Sequence, residues 1–221
     1  MWTDTHAHLG HQRFTADLSA VIERAEQCGV DQFVAPAVDL TNARHLLAVH
    51  ERFHQVRAAV GIHPCDVDTV STADFIWMDE LAALAAHSAT AAIGETGLDF
   101  FHPPPEGFTK AGWREQQMRV VKAQLDLAAD TGLNAVIHTR ESHEEMVEVI
   151  RCYSGRLRAV FHCFTGTADQ ARELIDLGHL VSFTGIVTFK TAEAIQEAAK
   201  LQPADAILVE TDAPYLAPLP H

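Results

Sequence analysis

Short apolar runs alternate with longer stretches of helical period along the chain, the pattern of repeated β-α units on a parallel sheet. Eight runs predict strands: Trp2 to His8, Gln32 to Ala37, Val56 to Ile62, Ala91 to Gly94, Ala135 to His138, Ala159 to His162, Leu180 to Phe183 and Ile207 to Glu210. Seven amphipathic stretches lie between them, at Leu18 to Cys28, Arg44 to Phe53, Asp79 to Ala86, Glu115 to Asp130, Glu144 to Arg151, Ala168 to Leu177 and Ala192 to Leu201. Gly29, Gly132 and Gly178 each follow one of these stretches, where a residue free to take φ > 0 ends a helix at little cost. Eight strands and seven helices predict an α/β fold, a TIM-type (β/α)8 barrel rather than an open doubly wound sheet, and no G-x-G-x-x-G follows the first strand.

The end of the chain breaks the pattern. Only Thr211 to His221 follow the last strand, and Pro214, Pro218 and Pro220 make that segment a poor helix, so the barrel is expected to lack its last outer helix. The groove between the first and seventh outer helices is then expected to stay uncovered, an apolar patch that favours low stability or self-association into a homo-oligomer. His102 to Gly112, with prolines at 103, 104 and 105, is the conspicuous irregular loop, and it follows the fourth strand on the side where barrels carry chemistry.

With 221 residues, 48% of them hydrophobic, the chain is long enough for one domain spanning 1–221 around one sizeable core. Its opening residues, Met1-Trp2-Thr3-Asp4, lack the basic stretch and apolar run of a secretory signal or membrane span, which makes a cytoplasmic protein the expectation. Cys28, Cys65, Cys152 and Cys163 form no C-x-x-C pair and are expected as reduced thiols. A formal net charge of −14 excludes a general basic surface for long nucleic acid, so any phosphate contact must be local. Of the fourteen histidines, His45, His50, His54 and His87 fall where a solvated helix face puts them.

Position, not number, singles out the others. His6 and His8 are two apart on the first predicted strand, so both imidazoles face the same side, a weak signal by itself. Metal-competent residues then recur at or just after the predicted strand ends: His63, Glu95, His138, His162 and Asp212. Each alone reads equally as a capping or hydrogen-bonded residue. Together on one rim they demand a compensating cation, because clustered carboxylates and imidazoles repel or desolvate without one. Such a mixed N/O set suits zinc, manganese, magnesium, nickel or iron, and it exceeds what one tetrahedral ion requires, which suggests two divalent ions.

The blocks Asp4-Thr5-His6-Ala7-His8-Leu9, Gly61-Ile62-His63-Pro64, Ile93-Gly94-Glu95-Thr96-Gly97-Leu98-Asp99, Val136-Ile137-His138-Thr139-Arg140, His162-Cys163-Phe164-Thr165-Gly166 and Glu210-Thr211-Asp212-Ala213-Pro214 resemble, in order and over nearly the whole chain, those of the TatD-type DNases of the amidohydrolase superfamily. The resemblance implies a barrel in which His6, His8 and Asp212 hold one metal, His138 and His162 hold the other, and Glu95 bridges them. It also implies deoxyribonuclease activity: a hydroxide activated by two ions attacks a phosphodiester in line. Asp212 would orient the hydroxide and accept its proton. His63 would hydrogen-bond the phosphate or leaving oxygen, and Arg140 would pair with a non-bridging oxygen. For Arg140 an exposed ion pair with Glu141 or Glu144 is an equal alternative. Asp4 is read as orienting a ligand imidazole, Cys65 and Cys163 as packing residues, His11 and His102 as solvated, and Asp99 and Glu210 as structural or as partners of the ligands.

The family usually continues past the last strand with a further helix and an Arg-Asn segment that this chain does not show. With the acidic surface, the expected partner is DNA taken at ends or over short single-stranded segments, or a small phosphodiester, and no membrane. Two rivals remain at this stage: a related amidohydrolase acting on a small ester, amide or phosphodiester, and a truncated, inactive metal-binding or interaction domain.

Overall fold

In the computed structural model, which describes residues 1–220, eight parallel strands run in sequence order around one sheet. They are β1 (Trp2–Asp4), β2 (Val30–Pro36), β3 (Val56–Val60), β4 (Thr90–Asp99), β5 (Asn134–Arg140), β6 (Ala159–Phe161), β7 (Leu180–Phe183) and β8 (Ile207–Val209). Helices α1 (Leu18–Gln27), α2 (Leu40–Arg52), α3 (Trp77–Ala85), α4 (Lys110–Thr131), α5 (His143–Arg151), α6 (Ala168–Asp176) and α7 (Glu193–Leu201) connect them. This is the expected (β/α)8 barrel. Short 3-10 turns at Gln12–Phe14, Pro64–Thr69 and Gly185–Thr188, none of them expected, line the mouth loops.

Local chemistry sets the helix ends. The side chains of Asp39, Thr109 and Thr167 accept the amides of Asn42, Gly112 and Gln170 at the starts of α2, α4 and α6. Gly29, Gly132 and Gly178 take positive φ where α1, α4 and α6 stop, as expected. The Thr109 cap starts α4 five residues ahead of the periodic apolar run, so the irregular loop is shorter than His102 to Gly112.

No helix follows β8 among the described residues, in agreement with the expected missing eighth helix; of the segment Thr211 to His221, His221 lies outside them. Trp2, Leu201 and Val209 are accordingly more than half exposed. The seam between β8 and β1 is closed instead at the mouth. The Asp212 amide donates to the His6 carbonyl at 2.9 Å, and the His8 amide to the Ala213 carbonyl at 2.8 Å, on either side of a parallel bridge between Ala7 and Ala213.

The core divides into a cluster about β1 to β4, with α1 to α3 and part of α4, and a second about β5 to β8. Helix α4 also sends two fully buried glutamines into the barrel wall. Gln124 accepts the Ile62 amide at 2.7 Å and donates to the Ile62 carbonyl and to Thr96 Oγ1 at 2.6 Å, while Gln117 brackets both backbone groups of Asp99. These bonds satisfy backbone groups of Ile62 and Asp99 beyond the last β3 to β4 pair, Val60 with Ile93. In the same stretch Gly97, at φ 143°, lets β4 approach β5 so closely that a Cβ would collide with the His138 carbonyl.

Replacing Gln124 with Leu orphans a buried amide and carbonyl of Ile62. A loss of about 2 kcal/mol or more of unfolding free energy is expected in urea denaturation; an unchanged midpoint would show that the glutamine holds nothing.

Candidate metal centre

The barrel geometry brings the six expected ligands to one bowl, from segments that differ in part from those expected. His6 and His8 lie beyond the three-residue β1, in the segment that bonds across the seam, rather than within a strand. Glu95 sits inside β4, which runs on to Asp99, and His138 sits inside β5; each was expected at a strand's end. The apolar run stops at Gly94, so periodicity ends the strand there, but the pairing of Thr96 to Asp99 with Ile137 to Arg140 of β5 carries the extended backbone further. His162 follows β6 directly, and Asp212 stands three residues past β8 with φ 58°.

The Glu95 carboxylate is at the centre, 1% exposed, and its two oxygens face different donors. Oε2 lies 3.4 Å from His6 Nε2 and 3.7 Å from His8 Nε2. Asp212 Oδ1 is 3.6 Å and 3.3 Å from the same two nitrogens, which are 3.3 Å apart. These spacings are close to the edge of about 3.3–3.4 Å that a tetrahedron with 2.0–2.1 Å metal bonds requires. Glu95 Oε2 and Asp212 Oδ1 are both buried without a hydrogen-bond partner, so the donor set fits a cation on this side.

Oε1 faces the second group. It lies 2.7 Å from His162 Nε2, 3.0 Å from His138 Nδ1 and 3.4 Å from His63 Nε2, and the first two nitrogens are 3.3 Å apart. The His6 ring stacks parallel on that of His162, 3.8 Å between centroids, and packs the two groups against each other. Burial pushes the Glu95 carboxyl up, but His162, His63 and His6 around it hold it well below the usual carboxylate range. Burial and the neighbouring His162 push His6 down, towards the neutral imidazole that ligates a metal.

Outer contacts aim the ligands. His138 Nε2 donates to Asp99 Oδ2 at 3.1 Å, which leaves Nδ1 for the centre; Asp99 also accepts His102 Nδ1 at 2.8 Å. Burial opposes the Asp99 charge, and the hydrogen bonds from His138 and His102 outweigh it, lowering its pKa. His102 is thus tied to the centre through Asp99, not merely solvated. Glu210 accepts the Cys163 amide at 2.6 Å and faces His162 Nδ1 at 3.5 Å. Asp4 was expected to orient an imidazole; it binds backbone instead, accepting the amides of His6 and Thr211 on Oδ1 and the Thr211 hydroxyl on Oδ2 at 2.6 Å. Its partners are the two seam segments, which sequence spacing does not juxtapose.

His63 Nδ1 accepts the Cys65 amide at 3.1 Å, so the proton of the neutral ring is on Nε2, pointed at Glu95. Cys163 packs with its thiol against Thr184, and burial pushes it up to about 11. His11 bonds the Tyr215 hydroxyl at 3.2 Å. Arg140 makes no ion pair with Glu141 or Glu144; its guanidinium stacks 4.0 Å over the ring of Phe101, a residue the sequence did not single out.

The TatD related DNase family model matches residues 3–221. The metal-dependent hydrolase YabD of Bacillus subtilis is 35% identical over 221 residues, which cover 100% of this chain and 83% of that protein. A protein of Musicola paradisiaca named 3'-5' ssDNA/RNA exonuclease TatD is 34% identical over 97% of this chain and 79% of its own length. Among solved structures, the TatD homologue YjjV of Escherichia coli superposes with a TM-score of 0.86 at 28% identity, covering 97% of this chain and 80% of that one. Strand order, the donor cluster about Glu95 and these matches agree: the chain belongs to the TatD-related DNase family of metal-dependent hydrolases.

Proposed function

We propose that this chain hydrolyses phosphodiester bonds of DNA, at ends or over short single-stranded segments, with two divalent ions bound. His6, His8 and Asp212 would hold one ion and His138 and His162 the other, with Glu95 shared between the two donor sets. The observation that carries this reading is the division of the Glu95 carboxylate, with Oε2 turned to His6, His8 and Asp212 and Oε1 to His138 and His162. A pair of bound divalent ions supplies Lewis-acid activation of water and neutralises phosphate charge.

The chain's own groups perform the remaining steps. Asp212, whose Oδ1 is buried without a hydrogen-bond partner, accepts the proton of the attacking water. His63, with Nδ1 held by the Cys65 amide, donates from Nε2 to the phosphate or leaving oxygen. Arg140, at the end of β5, offers its fork to a non-bridging oxygen. The names of the Musicola paradisiaca and Edwardsiella piscicida relatives, 3'-5' ssDNA/RNA exonucleases, support a single-stranded substrate.

Metal analysis of the purified protein, with hydrolysis of a labelled single-stranded oligonucleotide, tests the reading. Glu95→Ala and Asp212→Ala are each expected to lower kcat/KM at least about a thousandfold and to reduce bound metal below two ions per chain; activity that survives both changes rejects the mechanism. His63→Ala is expected to retain the metal while kcat falls about 10²- to 10⁴-fold. Loss of an ion on that change would make His63 a ligand instead of a donor. Because the chain carries a net charge of −14, substrate affinity is expected to decline with salt along a log-log slope no steeper than about −2. A steep slope on long duplex overturns the local mode of engagement.

A further inference from the structure

Beside the bowl, where β4 ends, lies a cavity of about 210 Å³ that the metal centre does not use. Phe100, Phe101 and Pro103 line one side and Lys110 and Arg114, from the first turns of α4, the other. Asp99 belongs to both places, bonded to His138 of the centre and lining the cavity. We propose that this cavity is a subsite for the nucleotide next to the scissile phosphate: Arg114 and Lys110 bind its phosphate and the exposed ring of Phe101 stacks its base. The proposal rests on the reading of the substrate as a DNA strand.

Charge chooses the ligand. The Arg114 guanidinium lies 4.0 Å over the Phe100 ring, its Nε is buried with no hydrogen-bond partner, and neither Arg114 nor Lys110 forms an ion pair among the described residues. In a chain of net charge −14, a partly buried cation without a carboxylate partner asks for an anion from outside. The one carboxylate in the wall does not compete. Asp99 Oδ1 accepts the amides of Phe101 and His102 at 3.0 and 2.9 Å, and Oδ2 accepts His102 Nδ1 and His138 Nε2, so its acceptor positions are filled.

Size and shape limit the ligand further. The cavity is smaller than the roughly 300 Å³ at which sites for drug-sized molecules begin, so it takes a phosphate with part of its sugar and leaves the base outside. Outside stands Phe101, half exposed and braced by the Arg140 guanidinium at 4.0 Å and the edge of His102 at 5.2 Å. An aromatic ring beside a local cationic site is how single strands are held without reading of sequence. Asp99 both lines the cavity and bonds His138 at 3.1 Å, a proximity that suits a neighbouring position on the same strand.

The test uses the metal-loaded full chain and two substrates: an eight-residue thymidine oligonucleotide and bis(4-nitrophenyl) phosphate, a diester too short to span bowl and cavity. Arg114→Gln and Phe101→Ala are each expected to lower the ratio of kcat/KM for the oligonucleotide to that for the small diester about tenfold, through KM. Arg114→Lys should restore most of the ratio, and binding of a phosphorothioate thymidine tetramer should weaken in parallel. Phe101→Ala alters an exposed ring, so it stands if Arg114→Gln fails to fold. A ratio within twofold of wild type in both variants, or equal losses on both substrates, overturns the subsite while leaving the nuclease reading intact. Wild-type protein that hydrolyses the small diester but neither binds nor cleaves the oligonucleotide overturns the nuclease reading and the subsite with it.

Discussion

A single buried carboxylate sets the terms for the mouth of this barrel. Glu95 is 1% exposed, and a charge so far from water is tolerated only when opposite charge and hydrogen-bond donors surround it. Five imidazoles, from His6, His8, His63, His138 and His162, supply that shell, and each has Nδ1 or Nε2 within 3.7 Å of a Glu95 oxygen. The shell is still incomplete in protein atoms alone, since Glu95 Oε2 and Asp212 Oδ1 lack partners. A bound cation would complete it, so that metal binding and local stability answer one electrostatic requirement.

Holding Glu95 in place is the work of elements that contribute no ligand. The glutamines of α4 bond Ile62, Thr96 and Asp99 and so fix the strand ends on both sides of the carboxylate. Gly97 allows β5 to approach closely enough for His138 to reach Oε1. At the opposite side the seam is closed by backbone bonds of His6 and His8 with Asp212 and Ala213, and Asp4 ties the same two segments together. The first donor group therefore forms where the barrel closes. Closure of the seam and assembly of this donor group use the same bonds, with no helix over the outer face of β8 among the described residues.

The electrostatics outside the bowl follow a different plan. The chain carries a net charge of −14, yet Arg114 and Lys110 line one cavity beside the mouth and Arg140 stands next to it, with Phe100 and Phe101 packed against the guanidinium groups. Placing a few cations over aromatic faces keeps their charge available at the rim without a broad basic field.

Much of this was legible in the chain. Alternation of apolar runs and amphipathic stretches determined the eight strands, seven helices and parallel barrel, because those periods reflect local burial that each segment must satisfy wherever it lies. The identities of the six central residues were legible too, since imidazoles and carboxylates recurring at strand ends have one common destination in a barrel. What the tertiary structure alone decided was which atoms meet. That Asp4 ties the two seam segments and not an imidazole, that His102 joins the centre through Asp99, and that β4 runs past Gly94 paired with β5 all depend on partners distant in sequence or on side-chain direction. The Phe101 platform and the cationic cavity were invisible for the same reason. Periodicity reports the environment of a segment, whereas partners across a barrel are chosen by packing in three dimensions.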